Sequence, residues 1–475
     1  MAERVRKSVV IARAALAMLG VAATVYADGP ATTRPATVDG YRGLWFTLGQ
    51  FSQYGDKYSG GLGTYTSNHV PVAVYAEKVN QTFFVYGGTT AANEKHLLCM
   101  AGVFDHASGR VSKPVIVCDK AGVDDPHDNP SINIDADGYV YVFVSGRAKK
   151  RPGLKFRSMR PYDVSSFELI EEIEMTYPQI HAMPGGGFFL LFTKYTGGRE
   201  LYWQTSDDGR KWSTVNKLAG MGGHYQVSNV RPDGVLGDAL MYHPGGNVDK
   251  RTNLYYVQTA DRGKTWTTVD GKPVATPMTD PHGPSLLIDY EKQGLNVYIH
   301  DLNFDTAGRP VILYTTSRSA VPGPDGAPFT WRITHWDGTA WQTHDVTTSD
   351  HCYDAGSLYI EGDNWRIIGP TGEGPQKWAA GGEISLWTSQ DAGRTWRHAK
   401  QITTGSAVNH SYARRPRNAR DPFYSFWADG DPSKFSPSQL YFTNRAGDKV
   451  WQLPYDMTDA WATPSEIGAR LIKAK

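Results

Sequence analysis

Most of the chain alternates between short apolar runs and polar turns. The runs "GYVYVFVSG" (138–146), "FFLLFTKY" (188–195), "RPVILYTTS" (309–317) and "NWRIIGP" (364–370) are each a few residues long and rich in Val, Ile, Tyr and Phe. Gly, Pro, Asp and Asn bound them, as in "DADG" (135–138), "PGGG" (184–187), "TAG" (306–308) and "EGDN" (361–364). Short apolar runs closed by such turns predict buried strands rather than helices. Three further runs, "ELYWQ", "NLYYVQ" and "EISLW", lead into one recurring octapeptide: "TSDDGRKW" (205–212), "TADRGKTW" (259–266) and "SQDAGRTW" (389–396). The shared positions are Thr205, Asp207, Gly209, Lys211 and Trp212, then Thr259, Asp261, Gly263, Thr265 and Trp266, then Ser389, Asp391, Gly393, Thr395 and Trp396. A hairpin turn explains the pattern. The Asp accepts hydrogen bonds from the turn backbone, the Gly takes a left-handed conformation, and the Trp covers the turn. "HWDGTAW" (335–341) is a degenerate copy without the leading hydroxyl.

Trp212 and Trp266 are 54 residues apart, and Trp341 and Trp396 are 55 apart. That period suits a four-stranded blade, somewhat longer than the ~40–45 residues of the tightest propeller repeats. Residues 41–460 would hold seven or eight such units, and seven are expected. The predicted fold is therefore all-β: a seven-bladed β-propeller over 41–465. Its radial repetition lets a 475-residue chain remain one domain.

The first residues differ. Arg4, Arg6 and Lys7 precede an Ala/Val/Leu run that ends at Val25-Tyr26-Ala27, which predicts a signal peptide over 1–27. A membrane anchor is the alternative, but the uninterrupted run is shorter than the ~20 residues a span needs. Residues 28–40 read as a linker and 466–475 as a tail. The protein is expected to be secreted or periplasmic, with no membrane association beyond the signal peptide, and monomeric. A net charge of +1 gives no support for nucleic-acid binding. Three cysteines, Cys99, Cys118 and Cys352, cannot all pair within one chain. Cys99 and Cys118 are either a disulfide or two buried thiols. No CxxC spacing points to zinc.

Propellers carry function on loops around the axis. His127 precedes a strand whose entry Asn129 and Pro130 fix; Tyr177 lies in "TYP"; Lys194 ends a strand; His243 ends another. The octapeptides resemble Asp boxes of bacterial neuraminidase repeat (BNR) proteins. From "GYRGLWF" (40–46) to "FYSFWADGD" (423–431) the chain resembles the BNR-type family that includes ulvan lyases and rhamnose–glucuronate lyases. "KYSGGLGTYTSNHVP" (57–71), "HDNPSINIDADGYVYVF" (127–143), "TYPQI" (176–180), "YIHDLNFDTAGRPVILY" (298–314) and "NHSYARRP" (409–416) carry the likeness.

The resemblance implies a site of two His, a Tyr, an Arg and a later His. His127, Tyr177 and His243 match. Arg147 stands at the second His, and Thr193 or Lys194 at the Arg, with Lys194 preferred because the triple-Gly turn can add one residue. β-Elimination next to a uronic carboxylate needs a cation on the carboxylate, a base and an acid. His127, Tyr177, Arg147 and Lys194 are the candidate catalytic residues. His243, His69, Asn129, His300, His410 and Arg414 are candidate substrate contacts. His69 and the segment of His410, Arg414 and Arg415 come from opposite ends of the ring and are expected to meet, with only one of the two adjacent arginines facing inward. His351, Cys352, Tyr353 and Asp354 form a further polar knot, and Cys352 reads as a buried thiol.

The resulting expectation is a lyase cleaving a uronic-acid-containing glycan, with no cofactor required; loop carboxylates leave room for a structural calcium. Two alternatives stand beside it. A glycoside hydrolase releasing terminal rhamnose would need paired carboxylates, for which Asp124, Asp125 and Asp354 are candidates. A non-catalytic glycan-binding propeller would need neither. No sialidase arginine triad is recognisable.

Overall fold

The computed structural model describes residues 36–467 apart from 92, 93 and 124. The expected signal peptide, most of the linker, nearly all of the tail, and Asp124 lie outside the described residues. Strands dominate, helix is confined to single 3₁₀ turns such as Pro126–Asp128, and among the described residues no helix is long and apolar enough to cross a membrane.

The chain lays down small antiparallel sheets one after another. Five are four-stranded meanders whose strands follow sequence order, beginning at Pro130–Ile134, Thr176–Ala182, His224–Val230, Asn296–Phe304 and Ser357–Glu361. They are preceded by a sheet beginning at Ala73–Ala76 and followed by one beginning at Asn409–Arg414. Each sheet is covered on both faces by its neighbours. Strands such as Val140–Val144 and most of Phe188–Tyr195 are therefore buried along their length, which is why they read as unbroken apolar runs.

The first strands of successive sheets are bound by polar side chains. Asn133 Nδ2 donates to the Ile180 carbonyl (2.8 Å), Gln179 Nε2 to Gln226 (2.7 Å) and Asn229 Nδ2 to Leu302 (3.1 Å). Asn303 Nδ2 then donates to Leu358 (3.1 Å) and Ser357 Oγ to Ala413 (2.9 Å). Main-chain bonds Arg417 N to Ala73 O (2.8 Å) and Ile132 N to Pro71 O (2.9 Å) link the last and the second of these sheets to the first. At the periphery, Trp461–Ala462 pairs with Arg110–Ser112 of the first sheet, and Gly43–Thr47 pairs with both Ser59–Gly61 and Ser436–Ser438.

The repeated turns have the expected chemistry, with one correction. In the second and third copies Thr259 and Ser389 receive the Gly263 and Gly393 amides, while Asp261 and Asp391 receive the Thr265 and Thr395 amides. In the first copy these roles belong to Ser206 and Asp208, not Thr205 and Asp207. That turn is one residue shorter, so identical letters at 205 and 207 concealed a shifted register. Asp207 instead projects into solvent and pairs with Arg262. Cys99 and Cys118 lie opposite one another on neighbouring strands and carry free thiols.

Gly263 has φ +86°, and a Cβ there would meet the Trp203 ring at 2.6 Å; Gly271 has φ +82° with nothing within 4 Å. Gly271→Ala should therefore cost only the backbone penalty, about 1 kcal/mol, and Gly263→Ala roughly 2–3 kcal/mol, because a packed indole must also move. Thermal denaturation of the two variants checks the order.

Candidate active site

At one end of the first strands lies a cavity of about 730 Å³ of non-protein space, open to solvent. Its wall is aromatic and cationic: Tyr58, Tyr65, Tyr177, Tyr225, Tyr298, Tyr353 and Tyr412 surround Arg147, Arg199, Arg251, His127 and His300. Among the described residues no Asp or Glu lines it.

Two local distortions aim its phenols. The strand Thr176–Ala182 slips register between Thr176 and Gln179, and Asn409–Arg414 slips between Ser411 and Arg414. Tyr177 and Tyr412, inside these bulges, have φ +54° and +51°, a region aromatic residues rarely enter. Both rings thereby reach the cavity wall.

Tyr225 is the centre of the arrangement. Its ring lies 5.5 Å from Tyr177 and 5.0 Å from His243, while the Arg199 and Arg251 guanidinium carbons stand 5.4 and 4.9 Å from its centroid. Arg251 is also 4.8 Å from Tyr298 and 5.2 Å from Tyr353. Among the described residues neither guanidinium spends its hydrogen bonds on a carboxylate. Arg251 donates to the Val248 carbonyl and the Tyr353 hydroxyl, and Arg199 to the Tyr195 hydroxyl. Burial alone would raise the Tyr225 phenol. The charges of Arg199 and Arg251, a hydrogen bond from Tyr177 and the charge of Arg147 outweigh it and bring Tyr225 below the ordinary tyrosine range. Tyr177 moves the opposite way, well above that range, through burial and the neighbouring Tyr225 and Tyr195. The paired phenols thus share their first ionisation unequally.

His127, its ring 5.7 Å from Tyr177, is fixed by a carboxylate. Asp125 accepts from its Nδ1, from Arg147 (3.0 Å) and from Arg151 (2.6 Å). With Nδ1 held, Nε2 is the nitrogen left for the cavity. Burial opposes the Asp125 carboxylate, but the His127 and Arg151 contacts hold it well below its usual range.

The BNR repeat-containing family model matches residues 108–349, half of the chain. The chain belongs to the BNR repeat-containing family. Its curated relatives include an ulvan lyase of Alteromonas sp. (strain LOR), 24% identical over 46% of this chain and 52% of that protein. An ulvan lyase of Nonlabens ulvanivorans is 22% identical over 58% of this chain and 65% of that protein. The chain thus spans about half of the first relative's length and under two thirds of the second's. Among solved structures, a polysaccharide lyase described as an ulvan lyase superposes with a TM-score of 0.68 at 16% identity, covering 86% of this chain and 96% of that one. A second structure of such a lyase, bound to -[GlcA(1-4)Rha3S]-, gives 0.67. These likenesses establish the fold, a β-propeller.

In this BNR-repeat protein, four of the expected site residues line the cavity: His127, Tyr177, Arg147 and His300. Lys194 does not. Successive strand residues face opposite sides; Lys194 points to Glu174 (4.0 Å), while Arg199, opposite Tyr195 across the hairpin, enters the cavity. His243 stands behind Tyr225, and His69 behind Tyr177 at 5.4 Å; both are buried, and burial with nearby guanidinium charge keeps both imidazoles neutral. Asn129 is a brace, donating to the Leu62 (2.7 Å) and Tyr65 (2.5 Å) carbonyls. His410 bonds Ser406 (2.9 Å) and Trp427 (2.9 Å), away from the cavity.

The segments of His69 and Arg414 do meet: Arg414 donates to the Thr64 (3.0 Å), Thr66, Ser67 (3.4 Å) and His69 carbonyls. The adjacent arginines are not split between two faces as strand alternation implied. The bulge lets Arg414 and Arg415 border the same space. Cys352 is a buried thiol, pushed up to about 12 by its burial, while Tyr353 beside it joins the cavity wall. Asp354 spends its oxygens on the His351 (2.9 Å) and Gly381 (2.7 Å) amides.

Sequence reasoning missed Arg199, Tyr225 and Arg251. Arg199 opens a box-leading strand and Arg251 sits in "NVDKRTNLYY", where His243 drew attention instead. The readable signal was a cation at the start of the strands that precede the first two boxes.

An ultraviolet difference titration should show one phenol ionising below the ~10 of a free tyrosine. That step should vanish in Tyr225→Phe and move upward in Arg199→Ala; a titration unaltered in Tyr225→Phe would place the low phenol elsewhere.

Proposed function

We propose that the protein is a secreted or periplasmic polysaccharide lyase that cleaves a uronic-acid-containing glycan by β-elimination, built on a seven-bladed propeller. The succession of sheets with cross-linked first strands supports the blade number, and the basic and apolar opening of the sequence supports secretion. One observation carries the chemistry: a phenol held between two guanidiniums in a cavity that, among the described residues, no carboxylate lines.

In this reading Arg199 and Arg251, with Arg147 at the rim, receive the uronate carboxylate. Their charge stabilises the enolate that forms when the neighbouring carbon loses its proton, the role a metal ion fills elsewhere. The Tyr225 phenolate takes that proton. Tyr177 keeps its own proton and steadies the phenolate through its hydroxyl. His127, oriented by Asp125, is the acid that gives a proton from Nε2 to the leaving glycosidic oxygen. The C–H and C–O bonds break, the C=C bond forms, and the enzyme then exchanges one proton with water. The two departures from the family pattern are consistent with this, because Arg147 and the Arg199–Arg251 pair supply the positive charge. The relatives named ulvan lyases and the glucuronate-containing ligand of one similar structure point to the same substrate class.

The hydrolase reading is weaker, because it needs two carboxylates about 5–9.5 Å apart. The binding-only reading has in its favour only the aromatic wall, which suits sugar stacking.

Incubation with acidic algal and plant polysaccharides should produce the ultraviolet absorbance of an unsaturated uronide. Tyr225→Phe and His127→Ala should each lower kcat about 10²–10⁴-fold. New reducing ends without absorbance would make the protein a hydrolase, and retention of intact glycan a binding module. Activity should rise with pH as Tyr225 loses its proton, and that rising limb should shift upward in Arg199→Lys.

A further inference from the structure

Beneath the active-site cavity, and sharing Ser67 and His300 with it, lies a second, smaller cavity on the path between the first strands. Three arginines border it, Arg414, Arg415 and Arg417, against a single carboxylate, Asp301. Arg415 takes that carboxylate in a two-pronged pair, Nε to Oδ2 at 3.1 Å and Nη2 to Oδ1 at 3.0 Å. Asp301 also accepts the Leu302 and Leu358 amides, each at 2.9 Å, so its acceptor capacity is filled. Arg414 is spent on neutral carbonyls. Among the described residues, the Arg417 guanidinium has no hydrogen-bond or ion-pair partner; burial and the charge of Arg415 lower it to about 10. Three positive charges therefore border this space against one negative charge, and the half-buried Arg417 guanidinium, which also faces the outer groove, is open to an anion.

The imidazoles sharpen the picture. His300, 5% exposed, has no partner on either ring nitrogen. His181, 1% exposed, has its Nε2 2.8 Å from Ser228 Oγ, whose own proton goes to Gln179 Oε1 at 2.6 Å. His181 Nε2 is thus the donor, and its Nδ1, which has no partner, is a bare acceptor. The site offers guanidinium and imidazole donors together with one acceptor.

We propose that this axial cavity binds a small inorganic oxyanion that carries a proton, of the hydrogenphosphate class. Its oxygens accept from Arg417 and His300, and its P–OH donates to His181 Nδ1. Arg415, Arg417 and Asn229 also line a broad groove outside the cavity, which gives the anion a way in. The site is separate from the uronate clamp: it shares no arginine with it and does not depend on the lyase reading.

Calorimetric titration of the purified protein at fixed ionic strength tests this with inorganic phosphate and sulfate. Phosphate should bind at one site, at least ten times more tightly than sulfate, which has no proton for His181 at neutral pH. Arg417→Gln should weaken phosphate at least tenfold. Crystals of the unaltered protein soaked in arsenate should show an anomalous peak between Arg417 and His181, which keeps the test independent of how the variant folds. Absence of phosphate binding, equal affinity for sulfate, an unchanged constant in Arg417→Gln, or arsenate elsewhere would each overturn the proposal.

Discussion

The structure depends on how the first strand of each sheet holds the next. These strands lie side by side but their sheets are separate, so much of the edge backbone has no main-chain partner from a neighbouring sheet. Asn133, Gln179, Asn229, Asn303 and Ser357 supply the missing donors, each reaching one strand onward. A buried amide of this kind contributes little net free energy when satisfied and costs about 1–3 kcal/mol when orphaned. Its effect is chiefly on register: it fixes which residue of one strand stands level with which residue of the next.

That register makes the candidate site. Tyr177 and Arg199 come from one sheet, Tyr225 and the connection carrying Arg251 from the next, and His127 from the turn before the preceding one, so none contacts its partners through sequence proximity. The lowered Tyr225 phenol requires two guanidiniums within about 5.5 Å of its ring, and at that range a shift of one residue would move either charge out of reach. Among the described residues the wall holds no carboxylate, and Asp125 stands in a supporting position where it orients His127 and Arg147.

Much of this was legible in the chain. Apolar runs and repeated turn octapeptides announced small buried sheets, and His127, Tyr177 and Arg147, read together from the sequence, line one cavity. What escaped was set by geometry that residue types do not encode. Lys194 and Arg199 are equally plausible cations on paper; only the pairing of Tyr195 with Arg199 decides which one faces the site. Strand alternation separated Arg414 from Arg415, yet a bulge reunited them. Ser206 and Asp208 took over a turn whose letters matched better one residue earlier. His243, His69 and His410 drew attention as histidines, but the cavity wall is built chiefly of phenols and guanidiniums, residue types abundant enough in the chain to pass unremarked.

The pairing of Trp461–Ala462 with Arg110–Ser112 joins segments 351 residues apart. During synthesis the ribosome releases the N-terminal sheet long before the strand that finishes it exists. The residues lining both cavities all precede residue 418, and Arg417 already joins the last sheet to the first at Ala73. A nascent chain stalled before residue 461 would therefore hold its cavity walls but leave the outer edge of its first sheet unpaired, which makes it a client for chaperones.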